Sequence, residues 1–154
     1  MKTPIIQLIG KKEYLRDTAI TLFEDEHSFS FGRIELEKVY LKFGWNSKGV
    51  EPKSELIKDT SFIFIGIDTY VVGYDYDKCA IVFFLSTSGH FKWFEHINYG
   101  LAVVAESEII LLTTTIRCML RNYYSFDDII MGSKVENDKI IVSFLSNDDK
   151  FISF

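Results

Sequence analysis

Histidine is the side chain most hydrolytic mechanisms need, and the chain carries three: His27, His90 and His96. His90 and His96 stand six residues apart and flank Trp93 and Glu95. A strand that delivered His90, Glu95 and His96 to one end would make an acid–base pair of the kind that cleaves RNA. Against this, a five-residue strand between them holds the two histidines about 15 Å apart at ~3.3 Å per residue. Ser86, Ser88 and Ser146 fall in turns with no base beside them, so a serine nucleophile is not expected. The densest carboxylates, Asp75-x-Asp77 and Asp127-Asp128, lack the spacing of a calcium loop, and His and Cys do not cluster, so neither a metal nor a cofactor is expected. GxGxxG, P-loop, GxSxG and HExxH patterns are all missing. The expectation is a protein that binds rather than catalyses.

Binding chemistry is better represented. Acidic pairs sit in turn-like stretches at Asp75/Asp77, Asp127/Asp128, Glu136/Asp138 and Asp148/Asp149, with Tyr74, Tyr76, Trp93, Tyr99, Tyr123 and Tyr124 interleaved. Carboxylates steer and pair with a basic partner, while Tyr and Trp supply the buried anchors of an interface. Asp75, Tyr76 and Asp77 form the trio expected to be most exposed, because a hairpin turn faces water. The net charge of −5 has an uneven origin. Residues 1–60 hold ten basic and ten acidic side chains, whereas residues 61–154 hold seven and twelve, so the whole excess lies in the later part. Nucleic acid is therefore not an expected ligand, since phosphate affinity rests on Lys and Arg.

The elements that would carry these residues are strands. Residues 141–154 repeat residues 81–94 with seven of fourteen positions identical at an offset of sixty: Ile81/Ile141, Val82/Val142, Phe84/Phe144, Leu85/Leu145, Ser86/Ser146, Phe91/Phe151 and Phe94/Phe154. Each copy reads as apolar strand, polar turn, apolar strand, which predicts a β-hairpin. Ile20–Phe23, the acidic turn Glu24–His27 and Ser28–Phe31 echo that design. Asp127–Gly132 likewise echoes Asp68–Gly73, so the repeat spans 68–94 against 127–154. From Phe62 onward, turn signals every ~8–12 residues predict an antiparallel meander. Cys79–Leu85 is apolar on both faces, as a central buried strand is.

Other stretches are less regular. Residues 33–43 alternate apolar and polar with a parity slip that predicts a bulge or bend at Lys38. Residues 12–23 fit a short amphipathic helix, with strand from Ala19 onward. A one- to two-turn helix is expected at Ser54–Lys58 after Pro52, and residues 113–124 fit strand or helix. Cys79 and Cys118 lie in apolar runs and are expected reduced and buried.

The polar turn and aromatic-ended strand in Ser86-Thr-Ser-Gly89-His-Phe-Lys-Trp93 resemble the outer-to-inner turn of a β-propeller blade. Asp149 and Ser153 replace Gly89 and Trp93 in the second copy. With ~40 residues per blade and at least four blades for closure, the chain is expected to form a mainly β single domain over residues 1–154. It would be packed as a β-sandwich or a partial propeller-like stack rather than a closed ring, with at most one or two short helices. The apolar run Pro4–Ile9 is too short for a signal-peptide core, and no run approaches ~18 apolar residues. A cytoplasmic location is expected.

Acidity, β-rich build, an AT-rich coding bias (thirteen Lys to four Arg, four Ala) and the missing catalytic set together resemble the small immunity proteins of bacterial contact-dependent-inhibition and other polymorphic toxin systems. That resemblance implies a non-enzymatic monomer or weak dimer that neutralises a cognate basic, nuclease-like toxin domain, its acids occupying the site meant for phosphate. A second expectation is an assembly module that pairs through an edge strand at Phe151–Phe154; a third is the small hydrolase using His90, Glu95 and His96.

Overall fold

The computed structural model describes residues 4–36, 39–115 and 118–153. Fifteen strands and one helix, among the described residues, form four sheets. Sheet I contains β1 (Ile6–Ile9), β2 (Ile20–Phe23), β3 (Ser30–Leu36) and β4 (Val39–Trp45), in the order β1-β3-β4-β2. Sheet II runs β5 (Lys53–Leu56), β6 (Phe62–Ile67), β7 (Tyr70–Asp75), β8 (Ala80–Ser86), and sheet III runs β9 (Phe91–Ile97), β10 (Gly100–Ala105), β11 (Glu108–Thr113), β12 (Met119–Ser125), each in simple sequence order. Sheet IV has three strands, β13 (Ile130–Glu136), β14 (Lys139–Phe144) and β15 (Asp149–Ser153).

The sheets pack in series, and alternation along each strand supplies the two faces required. Phe43, Leu41 and Ile34 of sheet I meet Ile63, Ile65 and Val72 of sheet II. Phe64 and Val71 of sheet II meet Leu101, Val103 and Ile110 of sheet III. Ala102, Val104 and Leu111 of sheet III meet Ile140, Val142 and Phe144 of sheet IV. Central strands β6, β7, β10 and β11 are therefore apolar on both faces, as strands covered from both sides must be. The helix α1 (Lys11–Arg16) covers the outer side of sheet I through Tyr14, whose ring lies 4.5 Å from that of Phe31. This is the propeller-like stack, mainly β with one short helix.

Several local expectations fail, each for a tertiary reason. The repeat at 81–94 is not a hairpin: β8 ends sheet II and β9 begins sheet III, so its turn carries the chain between sheets. The later copy is a hairpin, with β14 and β15 paired from Lys139↔Ser153 to Ser143↔Asp149. Gly89 marks the difference, because a Cβ there would lie 2.9 Å from the Glu106 Cβ, so only glycine lets the next sheet's turn approach this closely. The repeat member Phe154 lies outside the described residues.

Ile20–Phe31 is not a hairpin either, since β2 pairs with β4 in parallel. Ser54–Lys58 does not form a helix; β5 takes up Ser54–Leu56 as a partner for β6, and Ile57 and Lys58 enter the following turn. Residues 119–125 are strand. Cys79–Leu85 belongs largely to β8, which is an outer edge strand and half-exposed rather than central. Cys79 itself is exposed with φ +52°, and both cysteines are free. Burial pushes the half-buried Cys118 thiol up to about 12. The bend expected at Lys38 lies outside the described residues.

Candidate functional site

Turns at one end of the stack are tied to each other in a line. Phe29 N–H donates to the Trp45 carbonyl (3.0 Å) and Asn46 N–H to Asp68 Oδ2 (2.8 Å). Thr87 N–H donates to Thr69 O (2.7 Å), Glu106 N–H to His90 O (2.9 Å), Ile130 N–H to Glu106 O (2.7 Å) and Leu145 N–H to Ile129 O (2.9 Å). The line crosses all four sheets. The connecting segments along it are residues 24–29, 46–52, 68–69, 87–90, 106–107, 126–129 and 145–148. They carry nine carboxylates (Glu24, Asp25, Glu26, Glu51, Asp68, Glu106, Asp127, Asp128, Asp148) against one lysine, Lys48. That is a net −8 in a chain of net −5, so the remainder is net positive by three. Lys11 and Lys12, which open α1 on the outer side of sheet I, lie at the opposite flank from Asp127, Asp128 and Asp148.

The acidic residues of sheets III and IV surround an apolar pair. Ile129 and Leu145 are 43% and 57% exposed and joined by the hydrogen bond just described. Asp127, Asp128, Asp148 and Asp149 flank them in sequence, and Glu106 adjoins through Ile130. Asp128 accepts from Ser146 N–H (3.2 Å) and Ile129 N–H (2.7 Å). Its hydrogen bonds, that from Ser146 first, hold its carboxyl below the usual value, with Lys150 adding attraction. The Lys150 ammonium lies 5.3 Å from the ring of Phe126 and 5.4 Å from that of Phe144. An apolar centre with a carboxylate rim has the anatomy of a protein-binding patch.

Two buried carboxylates fasten this end. Asp68, 6% exposed at φ +51°, accepts Asn46 N–H and Ser47 N–H (3.1 Å) with Oδ2, joining sheet II to the loop after sheet I. Glu108 accepts Ser88 N–H (2.6 Å) and the Tyr123 hydroxyl (2.7 Å), joining sheet III to the crossover from sheet II. Sequence reading passed over both, along with Phe29, Ile129 and Leu145 as exposed apolar side chains. Asp68 was legible as the start of the Asp68–Gly73 echo; its acceptor role was not, because the donors lie more than twenty residues away.

The other expected site residues are elsewhere. Asp75, Tyr76, Asp77, Glu136 and Asp138 belong to turns at the opposite end of the sheets, so the nine residues expected to form one surface are divided between two. Asp75 is 1% exposed rather than presented to water. It accepts Ser61 Oγ–H (2.7 Å), Asp77 N–H (3.1 Å) and Lys78 N–H (3.2 Å), and Lys78 Nζ lies 2.9 Å from Oδ2. Tyr76 is half-buried, and its hydroxyl donates to Thr60 O (3.0 Å). Glu136 is paired with Lys134 (2.9 Å), and Asp138 accepts from Asn98. A cleft of about 720 Å³ at this end is lined by Lys58, Asp59, Asp75, Asp77 and Lys78, in which the two signs nearly balance.

Burial raises the Asp75 carboxyl, but the Ser61 and Lys78 hydrogen bonds and the Lys78 charge outweigh it, leaving it below its ordinary value of 3.8. A carboxyl lowered by folding stabilises above its ordinary value, and that contribution disappears as pH falls through the folded value. Urea midpoints should therefore drop more steeply between pH 5 and about 3 for the native chain than for Asp75→Asn, whose midpoint is lower at neutral pH. Parallel curves would remove the assignment.

The histidines do not converge. His90 Nδ1 is 3.4 Å from Glu106 Oε1, while His96 Nε2 is 2.7 Å from Glu55 Oε1 at the other end of β9. Glu95 instead accepts from Ser133 Oγ (2.7 Å), which takes the Trp93 indole N–H (2.7 Å). An acid–base trio of His90, Glu95 and His96 is thus not assembled. Among the described residues no three His, Cys, Asp or Glu are grouped as metal ligands, and no helix is long and apolar enough to cross a membrane.

No family model matches the chain, and no curated protein matches it. Among solved structures it is similar to Kluyvelomyces marxianus Hsv2, a β-propeller, with a TM-score of 0.45 and 12% identity over 79% of this chain and 42% of that one. The matched part thus covers less than half of that protein.

Proposed function

We propose that the chain is a non-enzymatic binding protein that neutralises a basic partner through its acidic end, in the manner of the immunity proteins it resembles. One observation carries this reading: seven connecting segments from four sheets place a net −8 at one end, where the acids of sheets III and IV surround the exposed Ile129 and Leu145. Long-range attraction speeds encounter with a positively charged protein, and the apolar pair supplies area that loses water on contact. A nuclease domain fits this chemistry, because its phosphate-binding groove presents Lys and Arg that carboxylates can occupy.

The test is co-purification with the product of the neighbouring gene, followed by binding kinetics at 50 and 300 mM salt. Association should slow by roughly tenfold or more over that range, as steering by opposite charges requires. A partner that is itself acidic, or an association rate indifferent to salt, would remove the reading.

A further inference from the structure

Two of the acidic connecting segments, residues 24–29 and 46–52, meet at the end of sheet I. They are joined by the Phe29 N–H bond to Trp45 O and by the Asn46 side-chain amide, which donates to Asp25 Oδ2 (2.9 Å). Gly49 turns the second segment at φ +73°, a conformation that glycine adopts without strain. Beside this junction lies a cleft of about 340 Å³ whose lining includes Leu8, Phe29, Phe31, Trp45, Val50 and Glu51. Phe31 and Trp45 are buried, whereas Leu8, Phe29 and Val50 are 67%, 67% and 42% exposed. The cleft therefore has fixed aromatic walls and an apolar rim open to water. Its charge is one-sided. Asp25 and Glu26 lie in the turn before Phe29, and among the described residues no cation is paired with Glu51. Lys48, the one lysine of the acidic segments, holds its ammonium 5.5 Å from the centre of the Phe29 ring.

We infer that this cleft takes an arginine side chain of the basic partner, as a second anchor at the acidic end. The inference rests on the binding role proposed above and names what one part of that surface grips. A planar guanidinium stacks on an aromatic face and still presents its edge to a carboxylate, which a compact ammonium does less well. Phe29 offers the face and Glu51 the carboxylate. The aliphatic stem of the arginine loses water against Leu8 and Val50. Because Trp45 holds the Phe29 backbone and Asn46 ties the two segments, little ordering remains to be done on binding. Lys48 is the resident cation that the arginine displaces, at small cost because an exposed contact between a cation and a ring is weak. Arginine is also among the residues that most often anchor an interface.

The probe is the blocked tripeptide acetyl-Gly-Arg-Gly-amide, compared with its lysine and citrulline counterparts and titrated into the native chain. Nuclear magnetic resonance follows the backbone amides and the indole N–H groups of Trp45 and Trp93. The Trp45 indole and the Phe29 and Glu51 amides should shift and saturate, while the Trp93 indole, bonded to Ser133, stays in place. The arginine peptide should bind about five- to tenfold more tightly than the uncharged citrulline peptide, the joint effect of one exposed ion pair and one cation–ring contact. It should also bind more tightly than the lysine peptide. Phe29→Ala and Glu51→Gln, both at exposed positions, should each weaken it about threefold. Lys48→Ala should tighten it about twofold by removing the resident cation, whereas Lys139→Ala, the same charge change at the opposite end, should not. Equal binding of the arginine and citrulline peptides, shifts centred on Ile129 and Leu145 instead, or no tightening by Lys48→Ala would each overturn the inference. With the co-purified partner, salt-dependent association that Phe29→Ala leaves unchanged would overturn the cleft and keep the acidic end. Tripeptide binding with no basic partner recovered would do the reverse.

Discussion

Replacing Asp127, Asp148 and Asp149 together by asparagine is expected to weaken binding of a basic partner by about 30- to 100-fold at low salt. The three carboxylates lie in exposed turn and strand-edge positions near Ile129 and Leu145 and, among the described residues, do not accept the backbone N–H bonds by which the Asp128 carboxylate shapes the turns. Each partly exposed charge pair is worth roughly 0.7–1 kcal/mol, so three sum to about 2–3 kcal/mol. Much of the loss should fall on the association rate and shrink at high salt. Leu145→Ala should act differently, raising the dissociation rate with little salt dependence, because it removes apolar contact. Glu136→Gln with Asp138→Asn serves as the control, since those acids sit at the opposite end with Lys134 and Asn98. Surface plasmon resonance on the co-purified partner measures all of these. An equal effect from the control pair would show that overall charge, not the acidic end, governs binding.

The largest expected loss of stability comes from Asp68→Ala. Its carboxylate accepts two backbone N–H groups from the loop after sheet I, and its backbone is left-handed at φ +51°. Alanine leaves both donors without that acceptor, at about 1–3 kcal/mol, and costs a further ~1 kcal/mol for the left-handed conformation. The sum is about 3 kcal/mol, or roughly a 10 °C fall in Tm for a domain of this size. Asp68→Asn keeps a side-chain oxygen to accept and tolerates positive φ, so it should cost about a third as much. Urea and thermal unfolding of the two variants separate the terms. If both are equally destabilised, the negative charge rather than the acceptor geometry matters, and the line of turn-to-turn bonds has been misread. Weaker partner binding by Asp68→Asn is also expected, since that line holds the acidic segments together.

Much of this molecule follows from short-range chemistry. Alternating apolar and polar residues, β-branched and aromatic side chains and closely spaced turn signals make strands wherever they occur, so the mainly β class and the meander after Phe62 can be read directly from residue order. Total charge and its excess after residue 60 are likewise properties of composition. What two strands joined by a turn then pair with is not local. Residues 81–94 and 141–154 share half their side chains, yet the first crosses between sheets and the second folds back, because Gly89 admits the Glu106 turn and Asp68 and Thr69 carbonyls await Phe91 and Thr87. The same reasoning covers the acids. Asp75 and Asp148 look alike in sequence, each beside a second acid in a turn, but Ser61 and Lys78 enclose the first, while the second stands at the exposed end. Only the packing of the four sheets decided which end each turn would occupy, and therefore which carboxylates could act on a partner together.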